Sequence, residues 1–224
     1  MLRGLFSNGF WILLLIPLRL LAIVVHECSH GYVSTKLGDP TPRIQGRLSL
    51  NPLVHLDLMG TLLMVLTGFG WAKPVEVNPM YYKDRKKGMA LVAAAGPLSN
   101  LLLAFISLLI YYLFFVVIHY TKLPVSMKVM SFIGTICSYS AQVNLCFLVF
   151  NLIPIPPLDG SKILGMFLSN KAYYTMLQYE RWSMLLIMFL SLSGMLGGII
   201  GSGVSLFYNG IINVLSNLVN LLLV

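Results

Sequence analysis

The chain has 224 residues, of which 58% are hydrophobic and 10% charged, and its mean hydropathy of +0.85 excludes an ordinary soluble globular domain in favour of a polytopic membrane protein. Its net charge of +8 does not indicate nucleic-acid binding, because the basic residues gather at the ends of apolar runs and no nucleic-acid motif surrounds them. Cys28, Cys137 and Cys146 sit in apolar segments without C-x-x-C spacing, which supports neither a disulfide framework nor a cysteine metal cluster and leaves them as small core fillers.

The first apolar run extends from Phe10 to Gly31. It is longer than a signal-peptide core and lacks an A-x-A cleavage pattern, so it is expected to remain as a span. Arg19 lies within it, seven residues before His26 and on a similar helical face; snorkelling to the outer interface would accommodate it. The run closes on His26-Glu27-Cys28-Ser29-His30. On a helix, the two histidines project one turn apart from one face, so both imidazoles can reach a single zinc ion. Glu27 then stands beside the metal as general base for the attacking water. Coincidental core histidines are the bland alternative.

Beyond this run, Gly46 to Pro52 and Lys73 to Pro79 alternate apolar and polar residues and both stop at Asn-Pro. They read as short strands at the membrane surface, either as a free edge for an extended peptide or as connecting hairpin strands. Between them, Leu58 to Gly70 is apolar but short and has basic flanks on both sides, which predicts a re-entrant element.

A second span is expected from Gly88 to Ile118. Ala93-Ala94-Ala95-Gly96 and Ser99 give it a small-residue face for close helix packing, Pro97 predicts a kink, and Asn100 is a candidate for lining a water-filled cavity. A third span, Ser131 to Ile153, runs into the proline-rich break before Asp159-Gly160. Acids are few, and Asp159 stands out among them as a third ligand, since the prolines end the helix and Gly160 permits tight backbone geometry; capping the next helix is its alternative role. An interfacial helix is expected over Ile163 to Gln178, followed by two spans, Trp182 to Ile200 and Val204 to Val224.

The basic residues from Lys36 to Lys87, with Lys162, Lys171 and Arg181, outnumber those at the opposite ends, Arg3, Lys122 and Lys128. By the positive-inside rule the richer side is cytoplasmic. His26, His30 and Asp159 then lie toward that side. Five crossings would put the N-terminus outside and the C-terminus inside.

Several segments together resemble the site-2 protease family of zinc intramembrane proteases, in its compact prokaryotic form without a PDZ domain. They are His26 to Gly31, Gly38-Asp39-Pro40, Gly46 to Pro52, Ala95-Gly96-Pro97-Leu98-Ser99-Asn100, and Phe150-Asn151-Leu152-Ile153-Pro154 leading to Leu158-Asp159-Gly160. The resemblance implies one Zn2+ per chain bound by His26, His30 and Asp159, with Glu27 as general base. It further implies that Asn151 positions substrate or steadies the oxyanion. His55 also lies in a segment like that of the compact relatives, and either orients substrate, takes the open metal position, or pairs with Asp57 at the interface.

The expected architecture is a single all-α membrane domain over residues 1–224, with a three-helix catalytic core at about 10–160. The interfacial helix and two C-terminal helices follow, and short cytoplasmic-side strands and the re-entrant segment complete it. Its expected place is the prokaryotic cytoplasmic membrane and its expected partners are membrane proteins with transmembrane segments; the sequence leaves the oligomeric state open. A prenyl-protein processing peptidase is one rival, but its third ligand would be a Glu on a later helix, and only Glu76 and Glu180 are available, neither in an apolar run. A zinc transporter or zinc-binding scaffold is the other, and it has no need of Glu27.

Overall fold

The structure is a computed structural model that describes residues 9–57, 59–60, 73–122 and 124–223. Its main helices are α1 (Gly9–Lys36), α2 (Arg85–Thr121), α3 (Met127–Asn151), α4 (Asp159–Gly165), α5 (Asn170–Gln178), α6 (Glu180–Leu192) and α7 (Met195–Leu223). The starts are set by side-chain caps: the Asp84 carboxylate accepts from Lys87 N–H, Ser126 from Val129 N–H and Ser169 from Ala172 N–H, each satisfying a donor that a helix start leaves orphaned. α2 ends at Lys122, whose left-handed φ of 52° turns the chain away. Pro97 is inside α2, which stays helical through it.

Three described helices are long and apolar enough to cross a membrane, within Arg85–Thr121, Met127–Asn151 and Met195–Leu221. Polar groups are buried among aliphatic ones, and the outer face is apolar. Asn100, Asn144, His26 and His30 are buried, while Leu91, Leu98, Leu102, Ile106, Ile110, Leu113 and Val117 form an exposed stripe along α2. An apolar stripe of that length needs a lipid or protein cover. α2 is the central element, packed along both α1 and α3, with α7 closing on α2 and α3. The interior is made of small and aliphatic residues: Ala104 and Leu108 of α2, Ala141, Leu145 and Leu148 of α3, and Leu215 of α7. A second cluster of Leu158, Ile187 and Leu196 ties α6 and the start of α7 to the segment before α4.

Four expectations change. The run from Trp182 to Ile200 is not one span: the chain turns at Gly194, where φ is +77°. This leaves α6 with 13 residues, about 20 Å at 1.5 Å per residue and short of a roughly 30 Å hydrocarbon layer. The last helix accordingly begins at Met195 rather than Val204. The interfacial helix over Ile163 to Gln178 is two helices, α4 and α5, separated before the Ser169 cap.

No strand is formed over Gly46 to Pro52 or Lys73 to Pro79 among the described residues. Side chains take backbone groups that a ladder would have used. Ser49 O accepts from His55 Nε2 and from the Cys28 thiol, Val75 N–H donates to Glu27 Oε2, and Asn78 N–H donates to Asp39 Oδ2. The Asn-Pro pairs instead start 3-10 turns, Pro52–Val54 and Pro79–Tyr81, each capped by the Asn side chain. The re-entrant element expected over Leu58 to Gly70 lies largely outside the described residues.

Candidate metal centre

The centre is assembled from α1, α2 and the start of α4. His26 and His30 both face inward, buried, with ring centroids 4.7 Å apart. Close approach of α2 requires Gly96: a Cβ there would stand 2.5 Å from His30 Nε2 and 2.6 Å from His26 Nε2. After α3 the chain reverses through Pro154, Pro156 and Pro157, and Gly160 lies so near the Leu152 and Ile153 carbonyls that a Cβ would collide with them. That reversal delivers Asp159, the first residue of α4, to the imidazoles. Leu158 is the N-cap and makes no side-chain cap bond, so Asp159 is not the cap.

Asp159 Oδ2 lies 3.2 Å from His26 Nε2 and 3.2 Å from His30 Nε2. The tautomers are fixed from behind. His26 Nδ1–H donates to Asn100 Oδ1 at 2.6 Å and His30 Nδ1–H to the Val92 carbonyl at 2.7 Å. The orientation of the Asn100 amide is set in turn, because its Nδ2 donates to Ala22 O and to Asn144 Oδ1, and Asn144 Nδ2 donates to Ser140 O. In neutral imidazoles both Nε2 atoms are therefore bare lone pairs facing a carboxylate oxygen, and Asp159 Oδ2 is buried without a hydrogen-bond partner. A cation relieves that arrangement. Bonds of about 2.0–2.1 Å from a tetrahedral zinc ion would place its ligand atoms roughly 3.3–3.4 Å apart, which matches these separations, and a set of two imidazoles and one carboxylate leaves a fourth position open. Burial opposes the charged form of the Asp159 carboxyl, while the neighbouring Lys162 ammonium favours it, the form a ligand requires.

The three ligands open into a cavity of about 460 Å³ that Glu27 and Asn151 also line, with Ile23, Phe147 and Val75 among its apolar walls. Glu27 Oε2 accepts the Val75 N–H at 2.9 Å. Asn151 uses one amide N–H on Phe147 O, which leaves its second N–H free of that bond. Lys162 stands 3.8 Å from Asp159 Oδ1.

Two expected site residues are placed elsewhere. Asn100 is wholly buried behind His26 and does not line the cavity. His55 is also wholly buried, on the other side of α1, with Nε2 on Ser49 O and 3.6 Å from Cys28 Sγ; Asp57 instead accepts the Gly60 N–H. The Val92 carbonyl, Asn144, the Val75 N–H and Lys162 belong to the centre or its support and did not emerge from the sequence. Asn144 carried a legible signal, an amide within an apolar span; the two backbone groups carry none.

Comparison with known proteins points to zinc metalloproteases. YwhC of Bacillus subtilis, a candidate zinc metalloprotease by name, is 40% identical over 159 residues, covering 69% of this chain and 71% of YwhC. Rip2 of Mycolicibacterium smegmatis, also a candidate zinc metalloprotease, is 29% identical over 177 residues, covering 76% of this chain and 63% of Rip2. The zinc metalloprotease MJ0392 of Methanocaldococcus jannaschii is 26% identical over 168 residues, 75% of this chain and 38% of that protein. No solved structure matches. The profile of peptidase family M50 covers residues 13–196, a stretch that holds the HExxH helix, the α2 cradle and Asp159 together, and the chain therefore belongs to peptidase family M50, the site-2 protease family.

Proposed function

We propose that the protein is an intramembrane zinc endopeptidase that cuts within or near the transmembrane segments of other membrane proteins. The observation that carries this reading is the convergence of His26 Nε2, His30 Nε2 and Asp159 Oδ2 in a cavity that Glu27 shares, inside a bundle whose outer face is apolar. Bound by these three residues, zinc would polarise the scissile carbonyl and make an attacking water more acidic.

The chain's own groups supply the rest. Glu27 takes the proton from the water and returns it to the leaving amine, with Val75 N–H fixing one carboxylate oxygen and leaving the other for the proton. The free Asn151 N–H is suited to the oxyanion. Phe147, Ile23 and Val75 exclude bulk water. A substrate helix must unwind to enter, because its scissile carbonyl is otherwise held in its own hydrogen bonds.

The centre sits toward the basic, cytoplasmic ends of α1 and α3. Metal analysis and cleavage of single-span substrates test the reading together. The wild type should hold one zinc and cut, Glu27→Gln should hold zinc and lose cleavage by at least ~10³-fold, and Asp159→Ala should retain little of either. Equal cleavage by Glu27→Gln would overturn it.

A further inference from the structure

The crevice between α1 and α3 holds a cation for which the reaction above has no use. Arg19 is exposed and lies nine residues into the apolar run that begins at Phe10, about 14 Å along a helix at 1.5 Å per residue and so near the middle of a roughly 30 Å hydrocarbon layer. It does not snorkel outward. Its Nε donates to the Tyr139 hydroxyl at 2.6 Å and its guanidinium carbon is 5.7 Å from the Tyr139 ring centroid, so the side chain is drawn sideways onto α3. Tyr139 is buried and fixed. All seven Asp and Glu residues of the chain lie among the described residues, and none forms an ion pair with Arg19.

Arg19 also lies on the α1 face that leads to the metal centre. Arg19, Ile23 and His26 follow one face of α1, while Tyr139, Phe147 and Asn151 follow one face of α3 at spacings of four and eight, so the two faces run side by side in the same direction. The His26 and Phe147 rings are 6.5 Å apart, and Ile23, Phe147 and Asn151 line the metal cavity. The guanidinium thus marks the outer end of a track whose inner end is the candidate catalytic centre. A charge in hydrocarbon with no acidic partner among the described residues signals one from outside, and opposite charge is the chemistry that relieves it.

We propose that Arg19, oriented by Tyr139, is a specificity site for an acidic side chain in the membrane segment of the substrate. Arg19 is seven residues from His26, about 10.5 Å along α1. The acid therefore lies about three residues from the cleaved bond if the intervening substrate is extended, at roughly 3.3 Å per residue, and about seven if it is helical, on the side away from the cytoplasm. A phospholipid phosphate fits less well, since headgroups lie outside the hydrocarbon layer at whose centre Arg19 sits. The proposal rests on the intramembrane protease reading, and binding and cleavage are measured separately for that reason.

The full-length Glu27→Gln chain in phosphatidylcholine nanodiscs is titrated with single-span peptides carrying Asp at successive positions, each against its Asn counterpart. Binding at least tenfold tighter for Asp is expected at one position in the three-to-seven window. The preference should fall below twofold in Glu27→Gln/Arg19→Gln and at least threefold in Glu27→Gln/Tyr139→Phe. Equal binding of Asp and Asn peptides throughout, or a preference that survives Arg19→Gln, overturns the site; so does its loss when phosphatidylglycerol is added, which would make lipid phosphate the occupant. Zinc content equal to the parent certifies the fold, and if Arg19→Gln loses zinc, Tyr139→Phe decides, an unchanged preference overturning the site. Cleavage is read with Glu27 intact. Acid preference without any cleavage removes the protease reading and leaves the binding site, whereas cleavage indifferent to the acid does the reverse.

Discussion

At the scale of single residues, the centre depends as much on what is absent as on its ligands. Gly96 carries no side chain where a Cβ would lie 2.5 Å from His30 Nε2. Alanine favours a helix interior over glycine by about 1 kcal/mol, so Gly96→Ala should not weaken α2 by propensity. It should instead displace the imidazoles, and we expect zinc content to fall at least ~10-fold, the range for disturbed ligand support, with helical content by circular dichroism unchanged; full zinc occupancy would show that the imidazoles can move aside. His26 and His30 were legible in the sequence because HExxH is a local pattern whose geometry follows from one helix, and Asp159 because acids near an apolar run are so few. Gly96 was legible only as a packing residue, since the small-residue run does not say which atoms approach it. Asn100 was misplaced for a related reason: an amide in an apolar span announces a polar role, but not whether it faces substrate or stands behind a ligand.

At the scale of elements, the extended segment from Lys73 to Asn78 does what a strand would not. Its Val75 N–H is spent on Glu27, and its far end is anchored by Asn78 N–H on Asp39. Val75→Pro removes the donor and follows Pro74 in an already extended segment, so cleavage rate should drop about 10- to 100-fold with zinc retained, while an unchanged rate would free Glu27 of any need for that bond. Asp39 itself is wholly buried and receives Ser34 Oγ–H, Thr41 N–H and Asn78 N–H. Burial pushes its carboxyl up, but these hydrogen bonds outweigh it and hold the group below its ordinary value of 3.8. A folded-state value below the unfolded one gives stability that is complete above the ordinary value and disappears as pH falls through the folded one. Amide exchange at Thr41 and Asn78 should therefore remain slow down to about pH 3.9, an ordinary aspartate value, and quicken only in stronger acid; in Asp39→Asn it should be fast at all pH values. Fast exchange already at neutral pH in the wild type would remove this anchor from the account. Alternation and Asn-Pro stops were visible in the sequence, but strand pairing is decided by which backbone donors remain free, and Glu27 and Asp39 reach these from more than 35 residues away.

At the scale of the whole molecule, composition established the membrane character, but the number of crossings was not legible. Hydropathy alone cannot separate one span from Trp182 to Ile200 from a 13-residue helix and the first turns of the next, because the break is a single left-handed glycine, Gly194, in an otherwise apolar stretch. If α1, α2, α3 and α7 cross and α6 does not, the crossings are even and both ends of the bundle face the same side. The packing supports that direction for α7: Gly203 lies against Val149 near the inner end of α3, whereas Tyr208, further along α7, donates to Ser138 nearer the outer end. α7 is thus antiparallel to α3, leaving from the side that carries Lys162, Lys171 and Arg181 and ending opposite, which satisfies the positive-inside rule because α7 carries no Lys or Arg. A C-terminal alkaline phosphatase fusion should accordingly be active and a C-terminal green fluorescent fusion dark. The opposite pair of results would require α6 to join the crossing and the turn at Gly194 to lie within the bilayer, where its backbone groups would need partners other than water.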